Sequence, residues 1–455
     1  MNRIFLLIGI GWLCAIIPAE AQVTRKSERM VTLQEALQLS LANSAKLKKS
    51  KLDRTVVEQR VREEKALIYP QVTAGVSYDY YPILATQFLP GSALNRPGEA
   101  YVPVQFGQPW QLTAGINVQQ MLYSESGRRA LPLKNLTRQL YDILIERTAE
   151  EVAYQTASVF YQTLQTEQLL RAVNANIEKV DALQKMVELQ LANGFAIPTD
   201  VKRVAVARTN LETQRHNLLA GIEGLRQTLQ FLCGVPFEES FEPKTGLDKP
   251  AADSLRWQSL VLDMNATTEY RLLTAQSEIN RVQVKSAKGG AWPTLSAHAS
   301  GFYQIQRPDA NVLDPAGVWY GMAMVGAKLN MPLFDGFRRH RKVELLRLEE
   351  QKLAEDRRQF SGAKELEFRQ ARVQLQSALR QLRTQEENVA LAREIADKLT
   401  LQYKEGINPL TDVLNAQTAL SEAETGYWQQ VFGYKISVLN LLKAAGQLEA
   451  LQQEQ

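Results

Sequence analysis

Two hydrophobic periods take turns along the chain. From Leu33 to about Ile68 apolar residues recur at helical spacing. Thr32 and Glu35 are placed as a capping box before the run, and Pro70 ends it. The period then falls to two. Val72, Ala74, Val76, Tyr78 and Tyr80 alternate with Gln71, Thr73, Gly75, Ser77 and Asp79. A polar loop rich in Pro and Gly, 82–109, separates this run from a second one, Leu112, Ala114, Ile116 and Val118. Both runs read as half-buried strands. Helical periodicity returns from Ser124 to Asn193, with Pro132 as its one proline and no glycine after Gly127. At 1.5 Å per residue such a helix spans roughly 100 Å. A corner at 194–198 reverses the chain, and a second helix runs from Thr199 toward Leu232.

The whole pattern is then written again. "NGFAIPTDV" at 193–201 is answered by "EGINPLTDV" at 405–413, "YPQVTA" at 69–74 by "WPTLSA" at 292–297, and "MLYSESGRR" at 121–129 by "MPLFDGFRR" at 331–339. "LCG" at 232–234 is answered by "AAG" at 444–446. The second copy predicts strands near 292–306 and 317–333, a helix from Gly336 to Lys404, a corner at 406–409 and a return helix to Ala445. A repeated unit of about 200 residues is an internal duplication rather than a solenoid. The expected organisation is a first unit at 22–240, a linker at 241–252, a second unit at 253–449 and a tail at 450–455. The class is mainly α with a β part, each unit reading helix, strand, strand, helix, helix.

The long helices carry a seam with strict three-four spacing: Val159, Thr163, Thr166, Leu170, Val173, Ile177, Val180, Gln184, Val187 and Leu191 in one copy, and Leu375, Ala378, Leu382, Gln385, Val389, Ala392, Ala396, Leu399 and Tyr403 in the other. This predicts left-handed supercoiling. The seam is rich in Ala, Thr and Gln, which suits many helices packed around a wide tube; a plain antiparallel coiled-coil rod has the same periodicity. The strands favour the tube. Four strands cannot close a barrel, and a barrel needs about eight. An exported chain of this kind is expected to share a barrel with its copies, since an open sheet edge cannot stand in lipid. Tyr69, Tyr80, Trp110, Tyr123, Trp292 and Trp319 cluster near strand ends, as an aromatic girdle would.

The N-terminus supports export. Asn2-Arg3, an apolar run at 4–17 and Ala19-Glu20-Ala21 read as a signal peptide at 1–21, with an apolar run too short to span a membrane. Leu13 before Cys14 is too bulky for a lipoprotein cleavage site. The mature chain then keeps one cysteine, Cys233, so it makes no internal disulfide. A formal net charge of +4 without a dense basic tract argues against nucleic acid. No G-x-S-x-G, H-E-x-x-H, Walker loop, C-x-x-C or metal-spaced cluster occurs. His216, His298 and His340 are far apart and read as surface or lumen residues. No catalysis, cofactor or metal is expected.

"TLQEALQLSLANS" at 32–44, the two helix-to-strand junctions, "PLFDGFRR" at 332–339 and the paired corners together resemble the TolC-type outer-membrane efflux protein family, over about Thr32 to Gly446. The resemblance implies a homotrimer with a twelve-stranded outer-membrane barrel, continued across the periplasm by a helical barrel. Its corners would dock on a periplasmic adaptor linked to an inner-membrane pump. It also implies a gate at the corners. Tyr403 matches the tyrosine that ties one hairpin to its neighbour, Thr199 and Asp200 match that tyrosine's partners, and Asp412 matches one of two constriction aspartates. Asn408 and Asn415 stand where the best-known member has an arginine and the second aspartate. Gly194, Phe195, Ile197, Gly406, Ile407 and Leu410 are the expected docking tips. Asp200 and Asp412 also fit as helix-capping acids, and the two glycines as C-caps. The competing reading is a periplasmic coiled-coil adaptor or scaffold with no channel of its own. The cargo is not readable.

Overall fold

The computed structural model describes residues 28–244, 257, 259–314 and 317–453. The predicted signal peptide, Cys14 and most of the predicted linker lie outside them. Strand β1 (Glu28–Val31) pairs in parallel with β6 (Ser240–Pro243), so residues 241–243 of that linker belong to a two-stranded sheet. Val31 and Phe241 sink into the core beneath it. Helix α1 (Leu33–Asn43) starts at the predicted capping box: the Glu35 N–H donates to Thr32 Oγ1 at 3.3 Å and the Thr32 N–H to Glu35 Oε2 at 2.9 Å. The helix expected to reach Ile68 is two helices. Ser44 ends α1 and caps α2 (Ala45–Ala66) by accepting from the Leu47 N–H.

Four long strands, β2 (Gln71–Tyr80), β5 (Trp110–Ser124), β7 (Thr294–Arg307) and β8 (Tyr320–Asn330), form one antiparallel sheet in the order β2-β5-β7-β8. Register aligns Val76 with Ala114, Ala114 with Tyr303 and Tyr303 with Gly321. The predicted apolar positions therefore share one face. Thr73, Asn117 and Ser300 are aligned on the other. Strands β2 and β8 each have one neighbour, so among the described residues both outer edges of the sheet are bare. Among the described residues the sequence reading missed four further strands, all short. The predicted 82–109 loop contains a hairpin, β3 (Thr86–Pro90) with β4 (Tyr101–Gln105). Pro90 ends one of its five-residue runs and Pro103 interrupts the other, which hides the hairpin in the sequence. The repeat offset falls from 292 − 69 = 223 to 335 − 125 = 210 across this region, so the hairpin sits where the first copy is longer.

The further long helices among the described residues, together with the short α3 (Glu125–Ala130), are α4 (Leu133–Ala192), α5 (Pro198–Cys233), α6 (Thr268–Gly289), α7 (Arg338–Lys404) and α8 (Leu410–Ala445). The helix predicted from Ser124 is interrupted at Leu131 and Pro132, where a proline ring cannot continue the ladder. With 67 residues, α7 spans about 100 Å. Every predicted seam position of α7 from Leu375 to Tyr403 is buried or half-buried. A second apolar stripe on the same helix, Leu366, Val373, Leu391 and Ile395, is more than half exposed. The largest core lies where α1, α4, α7 and α8 meet around Leu375, Tyr434, Leu439 and Leu442.

Where strand passes into helix, both copies use an acid and an arginine four residues apart. Glu125 accepts from Arg129 Nε at 2.7 Å, from Arg128 Nε and Nη2 at 2.8 Å each, and from Tyr123 Oη at 2.8 Å. Asp335 accepts from Arg339 Nε at 2.6 Å and from the Arg339 N–H at 3.2 Å. Arg339 also donates to the Gly290 and Pro332 carbonyls, tying the end of α6 to the exit of β8. Hydrogen bonds from Arg128, then Arg129 and Tyr123, hold the Glu125 carboxyl well below the usual carboxylate range.

Two predictions follow from these contacts. A group whose folded pKa is depressed stabilises fully above its unfolded pKa and loses that contribution as pH falls toward the folded value. Glu125→Gln is therefore expected to melt lower than the wild type at neutral pH, and the gap should begin to close below about pH 4.5; thermal unfolding across a pH series measures it. Gly194 and Gly234 both have positive φ, 81° and 63°. A Cβ at Gly194 meets nothing within 4 Å, whereas one at Gly234 falls 2.6 Å from the Asn43 Cβ. Gly194→Ala should cost about 1 kcal/mol from backbone strain alone, and Gly234→Ala about 1–3 kcal/mol more. Equal melting temperatures for the two would contradict the contact.

Candidate functional site

Each long helix ends in a corner built from the same hydrogen bonds. In the first, the Asn193 N–H donates to Leu189 O, Gly194 N–H to Leu191 O and Phe195 N–H to Gln190 O. In the second, the donors are Glu405, Gly406 and Ile407 and the acceptors Leu401, Tyr403 and Gln402. Every partner is displaced by 212 residues. Gly406 has φ 74°, close to Gly194. Left-handed glycine here lets the last helical carbonyls find donors while the chain turns. The next helices begin alike, with Asp200 N–H donating to Ile197 O and Asp412 N–H to Pro409 O. Both acids lie in the first turn of their helix, beside its positive end.

The two hairpins of the chain meet below a small core of Val180, Val187, Val204, Tyr403, Leu410 and Val413. Tyr403 is buried, and burial followed by the charge of Asp200 pushes its phenol pKa up. The structure thus brings Tyr403 and Asp200 together within one chain. Thr199 stays exposed nearby. Arg203 was missed by the sequence reading. It lies 3.7 Å from Asp200 Oδ1 and donates to Thr411 Oγ1 at 3.1 Å, linking one hairpin to the other. Its spacing of three from Asp200 was a signal available in the sequence. Asn408 donates to Gln402 Oε1 at 2.6 Å, so its amide is engaged within its own corner. Asp412 is half-buried, and Asn415 is exposed on the next turn.

At the apex, Gly194, Gly406, Phe195 (84% exposed), Ile197 and Ile407 stand open to solvent. Leu410, expected among them, does not: it is 3% exposed and packs inward against Tyr403 and Val413. It is the first residue of α8, and the helical turn carries it onto the seam. An open groove beside the apex is lined by Thr199, Lys202, Arg203, Val206 and Leu414. Cys233 is buried, with its thiol donating to Ala36 O. Among the described residues no cluster of three or more His, Cys, Asp or Glu has metal-binding geometry, and no helix is long and apolar enough to cross a membrane.

The family model described as outer membrane efflux protein matches residues 272–447, most of the second copy. The Outer membrane protein TolC of Escherichia coli (strain K12) is 21% identical over 428 residues, covering 91% of this chain and 82% of that protein. The Outer membrane efflux protein BepC of Brucella suis biovar 1 (strain 1330) is 20% identical, over 96% of this chain and 90% of its own. Among solved structures, the outer membrane protein VceC of Vibrio cholerae superposes with a TM-score of 0.70 at 15% identity, covering 91% of this chain and 96% of that one. Sequence relatives that run the length of both copies and a shared architecture agree with the duplicated corners: the second copy matches the outer membrane efflux protein family, and the chain as a whole is similar to TolC-type outer-membrane proteins.

Proposed function

We propose that this chain is the outer-membrane exit duct of a tripartite export system, passively conducting cargo from a pump and adaptor to the outside. One observation carries the reading: a four-stranded antiparallel sheet, apolar on one face and mainly polar on the other, with both edges bare among the described residues. Three copies joined edge to edge make twelve strands, with the apolar faces in lipid and the polar faces around a water-filled lumen. The exposed second stripe of α7 supplies the helical contact such a ring requires. A periplasmic adaptor has no use for such a sheet, and this argues against that alternative.

The hairpin apex is the proposed inner end of the duct. Phe195, Ile197 and Ile407 present apolar surface for an adaptor. Thr199, Asp200, Tyr403, Asp412 and the linking Arg203 form the gate, with Asn408 and Asn415 as its uncharged positions. Three copies would place three Asp412 carboxylates around the constriction, since Asn415 contributes none.

Reconstituted protein should run as a trimer by mass and form ion-conducting pores in planar bilayers; a monomer that leaves bilayers non-conducting sinks the reading. Asp412→Asn should abolish most cation selectivity, read as reversal potential in a salt gradient, and an unchanged potential refutes the ring. Removing the Arg203 link costs about 1 kcal/mol of closure, so Arg203→Ala should raise open occupancy roughly fivefold in single-channel records.

A further inference from the structure

Just outside the sheet on its helical side, the junction segments expose large apolar groups. Ile68, Tyr69 and Trp292 are each more than half exposed; Leu333 is 86%, Phe334 76% and Phe337 65% exposed. Phe337 holds φ 65°, a left-handed conformation that L side chains rarely adopt, and its ring touches Phe334 edge-on at 5.5 Å. A phenylalanine kept strained and open to solvent gains little from the protein itself. Tyr69 lies just before β2, Trp292 just before β7 and Leu333 just after β8, so these groups adjoin the sheet along the chain.

Cations crowd the same level in both copies. In the first, Lys65 ends α2 while Lys134 and Arg138 begin α4; Lys65, then Arg138, pushes the Lys134 ammonium pKa down. In the second, "RRHRK" at 338–342 opens α7. Arg339 is engaged by Asp335 and Arg341 by Glu344, while Arg338 and Lys342 form no ion pair among the described residues. Neither α4 nor α7 has an acid in its first turn. Like charges gathered beside exposed aromatics are unfavourable in water alone, and an anionic surface with an apolar layer behind it relieves both costs.

We propose that this collar binds anionic phospholipid headgroups in the periplasmic leaflet, with the Phe334–Phe337 wedge among the acyl chains and Lys65, Lys134, Arg338, Arg341 and Lys342 on the phosphates. The inference rests on the duct reading, which sets the membrane at the sheet.

Full-length protein in detergent is offered equal phosphatidylglycerol and phosphatidylethanolamine, and the retained lipid is identified by native mass spectrometry. Phosphatidylglycerol should be favoured by roughly fivefold for each cation engaged. R338Q/R341Q/K342Q and K65Q/K134Q should each lose much of that preference. The charge-keeping R338K/R341K should retain it, as should R380Q/R383Q in the middle of α7. Equal retention of both lipids by the wild type, or an undiminished preference in both glutamine variants, overturns the proposal. So does a changed oligomer mass of those variants without lipid, which would put a neighbouring copy on the collar. Protein that conducts in bilayers but ignores headgroup charge removes only this inference; protein that never enters a bilayer removes the duct reading with it.

Discussion

A backbone amide or carbonyl without a partner costs several kcal/mol in hydrocarbon, where no water can replace the missing bond. Strands β2 and β8 each present a row of such groups at the outer edge of the sheet. Side-chain changes cannot remove that cost, because the groups belong to the backbone. Only another strand can, and antiparallel order allows β8 of one copy to meet β2 of the next. In the proposed duct the apolar face, the polar face and the two bare edges are thus parts of one arrangement, in which assembly and insertion into lipid depend on each other.

Duplication gives the arrangement its regularity. The corners, the C-cap glycines Gly234 and Gly446, and the helix starts after the corners correspond hydrogen bond for hydrogen bond at an offset of 212. The strand-to-helix clamps correspond at 335 − 125 = 210. Two residues are therefore added between clamp and corner in the second copy, whose helix α7 is unbroken where Pro132 interrupts the first. The copies are equal where hairpins must meet side by side, and they differ where each enters the sheet. Glu125 gathers two arginines and a tyrosine, whereas Asp335 serves one arginine that in turn holds two carbonyls.

Charge follows the same division along the long axis. The helices that begin at the apex, α5 and α8, carry Asp200 and Asp412 in their first turn. Those that begin beneath the sheet, α4 and α7, carry lysine and arginine there instead. The first pattern complements the helix dipole and the second opposes it.

Much of this was legible in the chain itself. Period two at 72–80 and 112–118 placed two strands and their faces, because alternation reports which side of a pleat meets a non-polar medium. The three-four seam from Leu375 to Tyr403 placed the buried stripe of α7, and Gly194 and Gly406 placed the corners, since only glycine turns there without strain. Contacts between segments distant in the chain were not legible. Nothing local marks Arg203 as a partner of Thr411, Leu410 as a core residue, or 241–243 as the mate of the first strand. The β3–β4 hairpin was hidden by prolines that usually mark loops. Local periodicity determines elements and their faces because it is a property of neighbours in the chain. Pairing between hairpins, and the bare edges of the sheet, were decided only in the tertiary structure, because strand order and side-chain contacts depend on which distant segments come to share space.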